Sequence, residues 1–143
     1  MRNPEKTIGK IADRAQRICL AYLEEADDDP TPTIRAALTL REREGIRVFY
    51  LTTSASPQKA ADFRENPGGC LYFWTAGFTR GVCLSGTVEV LETPEAKARF
   101  WRDGDQRDYP QGVTDPDYCV LKFTAGRGRY YTSCDAKNFK IPN

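Results

Sequence analysis

Along most of this chain, apolar and polar residues alternate in short runs separated by proline, glycine and acidic clusters. Arg47–Thr53 (RVFYLTT) sets Val48, Tyr50 and Thr52 on one face and Phe49, Leu51 and Thr53 on the other, the period of two that predicts a strand. The pattern predicts strands at 18–23, 33–40, 46–53, 69–76, 81–92, 118–124 and 129–134, the last two separated by Gly126 and Gly128. Within 81–92, Val82, Leu84, Val88 and Val90 share a face with Gly86 between them, which predicts a bulge or the close approach of another backbone. Helical spacing replaces alternation in three places. Asn3-Pro4 reads as an N-cap and first helical residue before Ile8, Ile11, Ala12 and Ala15, giving a helix near 4–16. Ser56-Pro57 opens another at 57–65, and Thr93-Pro94 a third that ends before Gly104. The rest is predicted as connection: an acidic turn from Glu24 through Pro32, a solvated charged turn over Arg41-Glu42-Arg43-Glu44 closing at Gly45, and a loop at 103–117. Aspartates at the acidic turn could bind a divalent cation, but a solvated hairpin tip is the better reading. Short strands with helices inserted among them predict a mainly β, antiparallel barrel in one domain.

A chain of 143 residues can bury such a core without disulfide or metal staples. Its 21 basic and 20 acidic residues are interleaved and nearly cancel, so no footprint for nucleic acid is visible. No apolar run reaches membrane-spanning length and the N-terminus lacks a signal-like segment, which predicts a cytoplasmic protein without a membrane partner. The five cysteines are scattered without a C-x-x-C pair; four fall in predicted strands, so they are expected to be reduced, buried and non-catalytic. Histidine is absent, which excludes Ser-His and Cys-His catalysis and histidine-ligated haem, and no metal site is expected. Chemistry must come from a borrowed cofactor, or from carboxylates, Lys, Tyr or Cys.

One segment has the makings of an anion site. Thr52-Thr53-Ser54-Ala55-Ser56-Pro57-Gln58-Lys59 turns a strand into a helix, bringing hydroxyls, unpaired backbone N–H groups and one ammonium to the positive end of a helix dipole. Lys59 in the first turn opposes that dipole unless an anion is bound there. Read alone, the segment is slightly better taken as an ordinary capped helix with a solvated lysine, since Ser-Pro caps are common.

The order of these motifs resembles the pyridoxamine 5′-phosphate oxidase-like split barrels, in the branch related to general stress proteins. The resemblance runs from Pro32-Thr33-Ile34-Arg35 through the Thr-Ser-Lys elbow, Asn66-Pro67 and the Phe73-Trp74 strand to Arg80-Gly81-Val82-Cys83-Leu84-Ser85-Gly86. It continues with Tyr109-Pro110-Gln111-Gly112, Asp115-Pro116 and Tyr118–Phe123. It implies an antiparallel, Greek-key-like split barrel that binds FMN at a homodimer interface. Arg35 and Lys59 would then meet the phosphate, with Thr52, Thr53 and Ser56 contributing hydroxyls and backbone. Ala36 and Ala37 would let the flavin lie on the strand, and Trp74, Trp101 and Tyr131 are candidates for aromatic cover from the partner subunit. Three positions depart from the family pattern: Pro57 stands where a Ser or Thr is common, Gly81 where the oxidase has Gln, and 136–143 lack its Arg-x-Leu segment. Oxidation of pyridoxamine phosphate is therefore not expected. The implied activity is that of an FMN-dependent oxidoreductase passing electrons from a nicotinamide donor to a small-molecule substrate. The alternative is a non-catalytic flavin-binding module or stress-related sensor. Deazaflavin binding would call for a more basic cleft than this balanced sequence offers.

Overall fold

The chain order is α1 (Pro4–Arg14), β1 (Ile18–Ala26), β2 (Asp29–Glu44), β3 (Val48–Ser54), α2 (Pro57–Glu65), β4 (Gly68–Trp74), β5 (Arg80–Leu91), α3 (Pro94–Phe100), β6 (Tyr118–Thr132) and β7 (Ala136–Lys140), with short 3-10 turns between β4 and β5 and between α3 and β6. The computed structural model describes residues 3–26, 29–54 and 57–142, with the side chains of Ala26, Ala37, Pro57, Gln58, Lys59 and Phe78 outside that description. All strand pairs are antiparallel, in the order β3-β2-β1-β4-β5-β6-β7, and β3 also pairs with β6. Six strands thus close a barrel, and β7 extends β6 beyond it. The meander β1-β2-β3 followed by the return of β4 beside β1, through α2, is a Greek key. The expected single-domain, mainly β barrel is what the chain forms.

Phe49, Phe73 and Phe123 fill the interior with Leu20, Leu51, Leu71, Val82, Leu84 and Leu121, and Ile8, Ile11 and Ala12 of α1 join them. On the opposite face of β3 and β6, Val48, Tyr50, Tyr118 and Val120 pack under Phe100 and Tyr109, and the Tyr50 and Phe100 rings stack at 4.8 Å. Because both its faces are covered, β3 is buried from Val48 to Thr53.

Several expectations change. The acidic turn is shorter than predicted: β1 runs to Ala26 and β2 starts at Asp29, with Glu24 opposite Thr31 and Glu25 opposite Pro30. Glu24 and Glu25 are anchored rather than solvated, Glu24 accepting from the Thr33 hydroxyl (3.1 Å) and Glu25 from the Asn66 amide (2.9 Å). Pro30 and Pro32 are tolerated because this part of β2 pairs on the β1 side only, β3 joining at Thr39. The hairpin tip at 27–28 lies outside the described residues. Arg41-Glu42-Arg43-Glu44 is not a turn but the end of β2. The sequence hides this because the charges are matched by remote partners: Asp105 for Arg41, Arg99 for Glu42 and Asp13 for Arg43. Gly126 and Gly128 do not end β6, which is continuous from Tyr118 to Thr132. Gly126 is instead the extra residue of a bulge, since Ser85 pairs with Arg127 and Gly86 with Ala125. A Cβ on Gly86 would run into the Thr124 carbonyl, the close backbone approach its position predicted. The edge strand β7 was not predicted; Phe139 is its one large apolar residue and covers Gly128.

Candidate functional site

Two bulges in β2 determine where its arginines point. Ile18 pairs with Leu38 but Leu20 with Arg35, so three steps of β2 face two of β1. Simple alternation from the buried Leu38 would turn Arg35 outward; the extra residue puts it on the inner face with Leu20 and leaves Ile34 68 % exposed. From there the Arg35 Nη1 donates to the Ser54 carbonyl at 3.1 Å, where β3 enters the elbow. Thr53 Oγ1 donates to the same carbonyl at 3.4 Å. Beyond the elbow, α2 begins with no acidic residue in its first turn.

The second bulge inserts Arg41 between the pairs Leu40–Leu51 and Glu42–Tyr50. Arg41 Nε donates to Thr52 Oγ1 at 2.9 Å and its Nη2 to Asp105 Oδ1 at 2.5 Å, the two charged side chains only 6 % and 12 % exposed. Asp105 Oδ2 also accepts from the Arg102 backbone N–H (2.9 Å). A second buried carboxylate, Asp115, accepts from the backbone N–H groups of Gln111 and Asp117. The loop 103–117 is thereby pinned against the barrel. Its Tyr109 hydroxyl lies 3.4 Å from Ser54 Oγ, and burial raises the Tyr109 pKa.

The predicted site residues divide as follows. Arg35 and Thr53 converge on the start of the elbow from the inner face, with Ala36 exposed beside them. Thr52 is on the opposite face, its hydroxyl held by Arg41. Ser56 and the side chains of Ala37 and Lys59 lie outside the described residues. Trp74 stacks on Tyr72 (5.9 Å) at the end of β4 and faces α1 across a groove. Tyr131 gathers on the same side, 6.3 Å from Tyr72. Trp101 packs 5.2 Å from Tyr118 and 6.4 Å from Tyr109, close to the elbow. Gly81 leaves room for the Tyr72 hydroxyl, which a Cβ there would strike. Arg41, Asp105 and Tyr109 were not singled out from the sequence, because no local spacing links residues that meet across the fold.

The cysteine expectation is also corrected. All five are free, but only Cys119 is buried; Cys19, Cys70 and Cys83 are half-buried and Cys134 is exposed. Burial and the adjacent Cys70 thiol push Cys83 up to about 11. No group of three or more His, Cys, Asp or Glu among the described residues could hold a metal ion, and none of their helices is long and apolar enough to cross a membrane.

A closed antiparallel barrel whose β3–α2 elbow is approached by an inward-turned arginine defines a small split-barrel protein. The chain belongs to the pyridoxamine 5′-phosphate oxidase family, whose profile matches residues 8–132. A protein related to general stress protein 26 from Clostridium acetobutylicum, of the pyridoxinephosphate oxidase family, superposes with a TM-score of 0.85 at 29% identity, covering 96% of this chain and 94% of that one. General stress protein 26 from Bacillus anthracis str. Sterne matches at 0.69 and 18% identity over 96% and 98% of the two chains. The general stress FMN/FAD binding protein from Xanthomonas citri matches at 0.65 and 18% identity over 97% and 94%. All three share the fold of this chain, and the first is similar to it over nearly the whole length of both. No curated protein matches the sequence significantly.

Proposed function

We propose that the protein binds FMN with its phosphate at the β3–α2 elbow and acts, as a cytoplasmic homodimer, as an oxidoreductase on a small molecule with a nicotinamide electron donor. The observation that carries this reading is the bulge that swings Arg35 inward to the Ser54 carbonyl, so that a guanidinium waits beside a helix start free of carboxylates. A dianionic phosphate fits that donor set: Arg35, the Thr53 hydroxyl, Ser56, Lys59 and the first amides of α2. Ala36 and Ala37 offer a flat, small-residue stretch for the ring, with Thr52 bracing the strand from behind through Arg41. Trp74 would cover the ring from a second copy. When bound, FMN supplies the redox chemistry, and the chain's residues hold and orient it. The membership of the chain in this family, and the FMN/FAD binding ascribed to the Xanthomonas citri protein, support the cofactor class.

A second reading, a flavin-binding sensor without turnover, is favoured by the chemistry at the elbow: the hydroxyl that meets it, Tyr109, is a phenol, protonated at neutral pH and a poor base. Fluorescence titration with FMN and riboflavin tests the phosphate site. Arg35→Gln should weaken FMN about ten- to a hundred-fold, the worth of a charge-assisted hydrogen bond, and leave riboflavin unchanged. Equal loss for both ligands would return Arg35 to a structural role. Steady-state oxidation of NADH or NADPH by the FMN-loaded protein then separates enzyme from sensor.

A further inference from the structure

One face of the sheet carries cations that the described residues do not balance. On the outer side of β5, β6 and β7 a groove of about 680 Å³ is lined by Arg127, Arg129 and Lys140, with Asn138, Phe139 and the Cys83 thiol beside them. The Gly126 bulge puts the two arginines there. Simple alternation from the buried Phe123 and Ala125 would turn them inward; the extra residue sends them outward and gives Gly128 the inner position. The register then sets Lys140 directly opposite Arg127, and Asn138 opposite Arg129. Like charges directly opposite destabilise a sheet, so this pair does not help the fold form. No carboxylate lines the groove, and none of the three cations forms an ion pair among the described residues. Elsewhere on β6 the register balances its charge, Lys122 lying opposite Glu89. Asp135, the acid at the β6–β7 turn, is engaged by Lys137 (3.9 Å) and by the Ala136 N–H (2.8 Å). Lys140 alone would be an ordinary guard of an edge strand, but Arg127 and Arg129 sit on β6, which is paired on both sides. The Cys83 thiol, kept protonated by burial, adds no opposing charge.

Two residues along a strand span roughly 7 Å and directly opposite residues roughly 5 Å, so the three charges gather within reach of one small molecule. The groove also has the volume of a small-molecule site, and a guanidinium fork matches the paired oxygens of a carboxylate or phosphate. We infer that this groove binds a small organic anion carrying two or more charges, a polycarboxylate or a phosphate ester, whose oxygens are held by Arg127, Arg129 and Lys140. Tyr131 closes one end with the Arg129 guanidinium 5.6 Å from its ring centroid, and the ligand needs no ring face. Citrate and pyrophosphate stand for the two sources in calorimetric titrations of the full chain, with and without saturating FMN. At least one should bind at low salt, more weakly as salt rises, with the same affinity in both forms of the protein. Singly charged acetate should not bind. Arg127→Gln, Arg129→Gln and Lys140→Gln together should weaken binding about ten- to a hundred-fold, each exposed charge contributing about two- to five-fold. Their melting temperature should not fall. Lys6→Gln, Lys10→Gln and Arg47→Gln, exposed cations outside the groove, remove the same charge and should leave binding unchanged. Asn138→Asp keeps all three cations but sets a carboxylate opposite Arg129, so it carries the test if the triple variant folds poorly. It should weaken the anion about two- to five-fold without lowering the melting temperature. The inference is overturned by absence of binding for both anions at low salt, by equal affinity in wild type and groove variants, or by an equal loss in the control triple. Loss of anion binding when FMN saturates the protein would assign these cations to the flavin and overturn it as well.

Discussion

Asp105→Asn is the sharpest test of how the elbow is braced. The substitution keeps shape and leaves an oxygen for the Arg102 N–H, but removes the charge that Arg41 Nη2 meets at 2.5 Å. With the two side chains 6 % and 12 % exposed, water can do little to replace the lost partner. Breaking one half of a buried pair costs about 3–5 kcal/mol. Asparagine retains part of the hydrogen bonding, so the lower end, about 3 kcal/mol, is expected. For 143 residues, an unfolding entropy of about 2.1 cal/mol/K per residue gives roughly 0.3 kcal/mol/K, and the loss lowers Tm by roughly 10 °C. Urea unfolding followed by circular dichroism should show the drop in midpoint with an unchanged m value, at one fixed protein concentration because association shifts apparent stability. Arg41→Met with Asp105→Leu should recover only part of it, since an apolar pair replaces both charges but leaves the Arg102 N–H and the Thr52 hydroxyl without their partners. A loss within about 0.5 kcal/mol, as for an ordinary surface change, would refute the reasoning.

Lys59→Ala should weaken FMN by about ten- to a hundred-fold in fluorescence titrations while riboflavin affinity and folding stay nearly constant, because its charge opposes the α2 dipole unless an anion is bound. Gly86→Ala drives a Cβ into the Thr124 carbonyl and should cost about 1–3 kcal/mol in urea unfolding. Burial pushes Cys119 from 9.0 to about 11 and Tyr118 from 10.0 to about 12. The folded state therefore holds these protons longer than the unfolded one, and stability present below pH 9.0 should fall as pH rises toward 12. Cys119→Val should flatten that decline between about pH 9 and 11, read as Tm against pH.

Legibility followed the range of the interactions. The barrel and its three helices could be read because alternation, Asn3-Pro4 and Thr93-Pro94 are local signals; both caps form, Asn3 accepting from the Lys6 N–H and Thr93 from the Ala96 N–H. Gly86 was legible for the same reason. Arg35 could be named as a site residue through the family pattern, but its orientation could not. That depends on a register slip between Ile18 and Leu38, and no periodicity count over 33–40 contains it. Thr52 and Thr53, grouped as one hydroxyl pair, separate because adjacent strand residues point to opposite faces. Arg41 looked solvated because its partner is 64 residues away.

Ser54 is where these threads meet. Its carbonyl accepts from Arg35 and Thr53 on one side, and its hydroxyl meets Tyr109 of the pinned loop on the other. This explains why an arginine rather than a lysine suits position 35. A guanidinium carries five N–H donors in a rigid fork. One donor goes to Ser54, which fixes the side chain, and the described residues take no other, leaving the rest for a ligand's oxygens. A lysine would swing freely and lose more rotamer entropy on binding. The brace behind the strand, Arg41 to Thr52 and Asp105, holds Ser54 still so that the fork keeps its aim. Loosening Asp105 should therefore weaken phosphate binding without touching it, and should do so only in variants that retain Arg35.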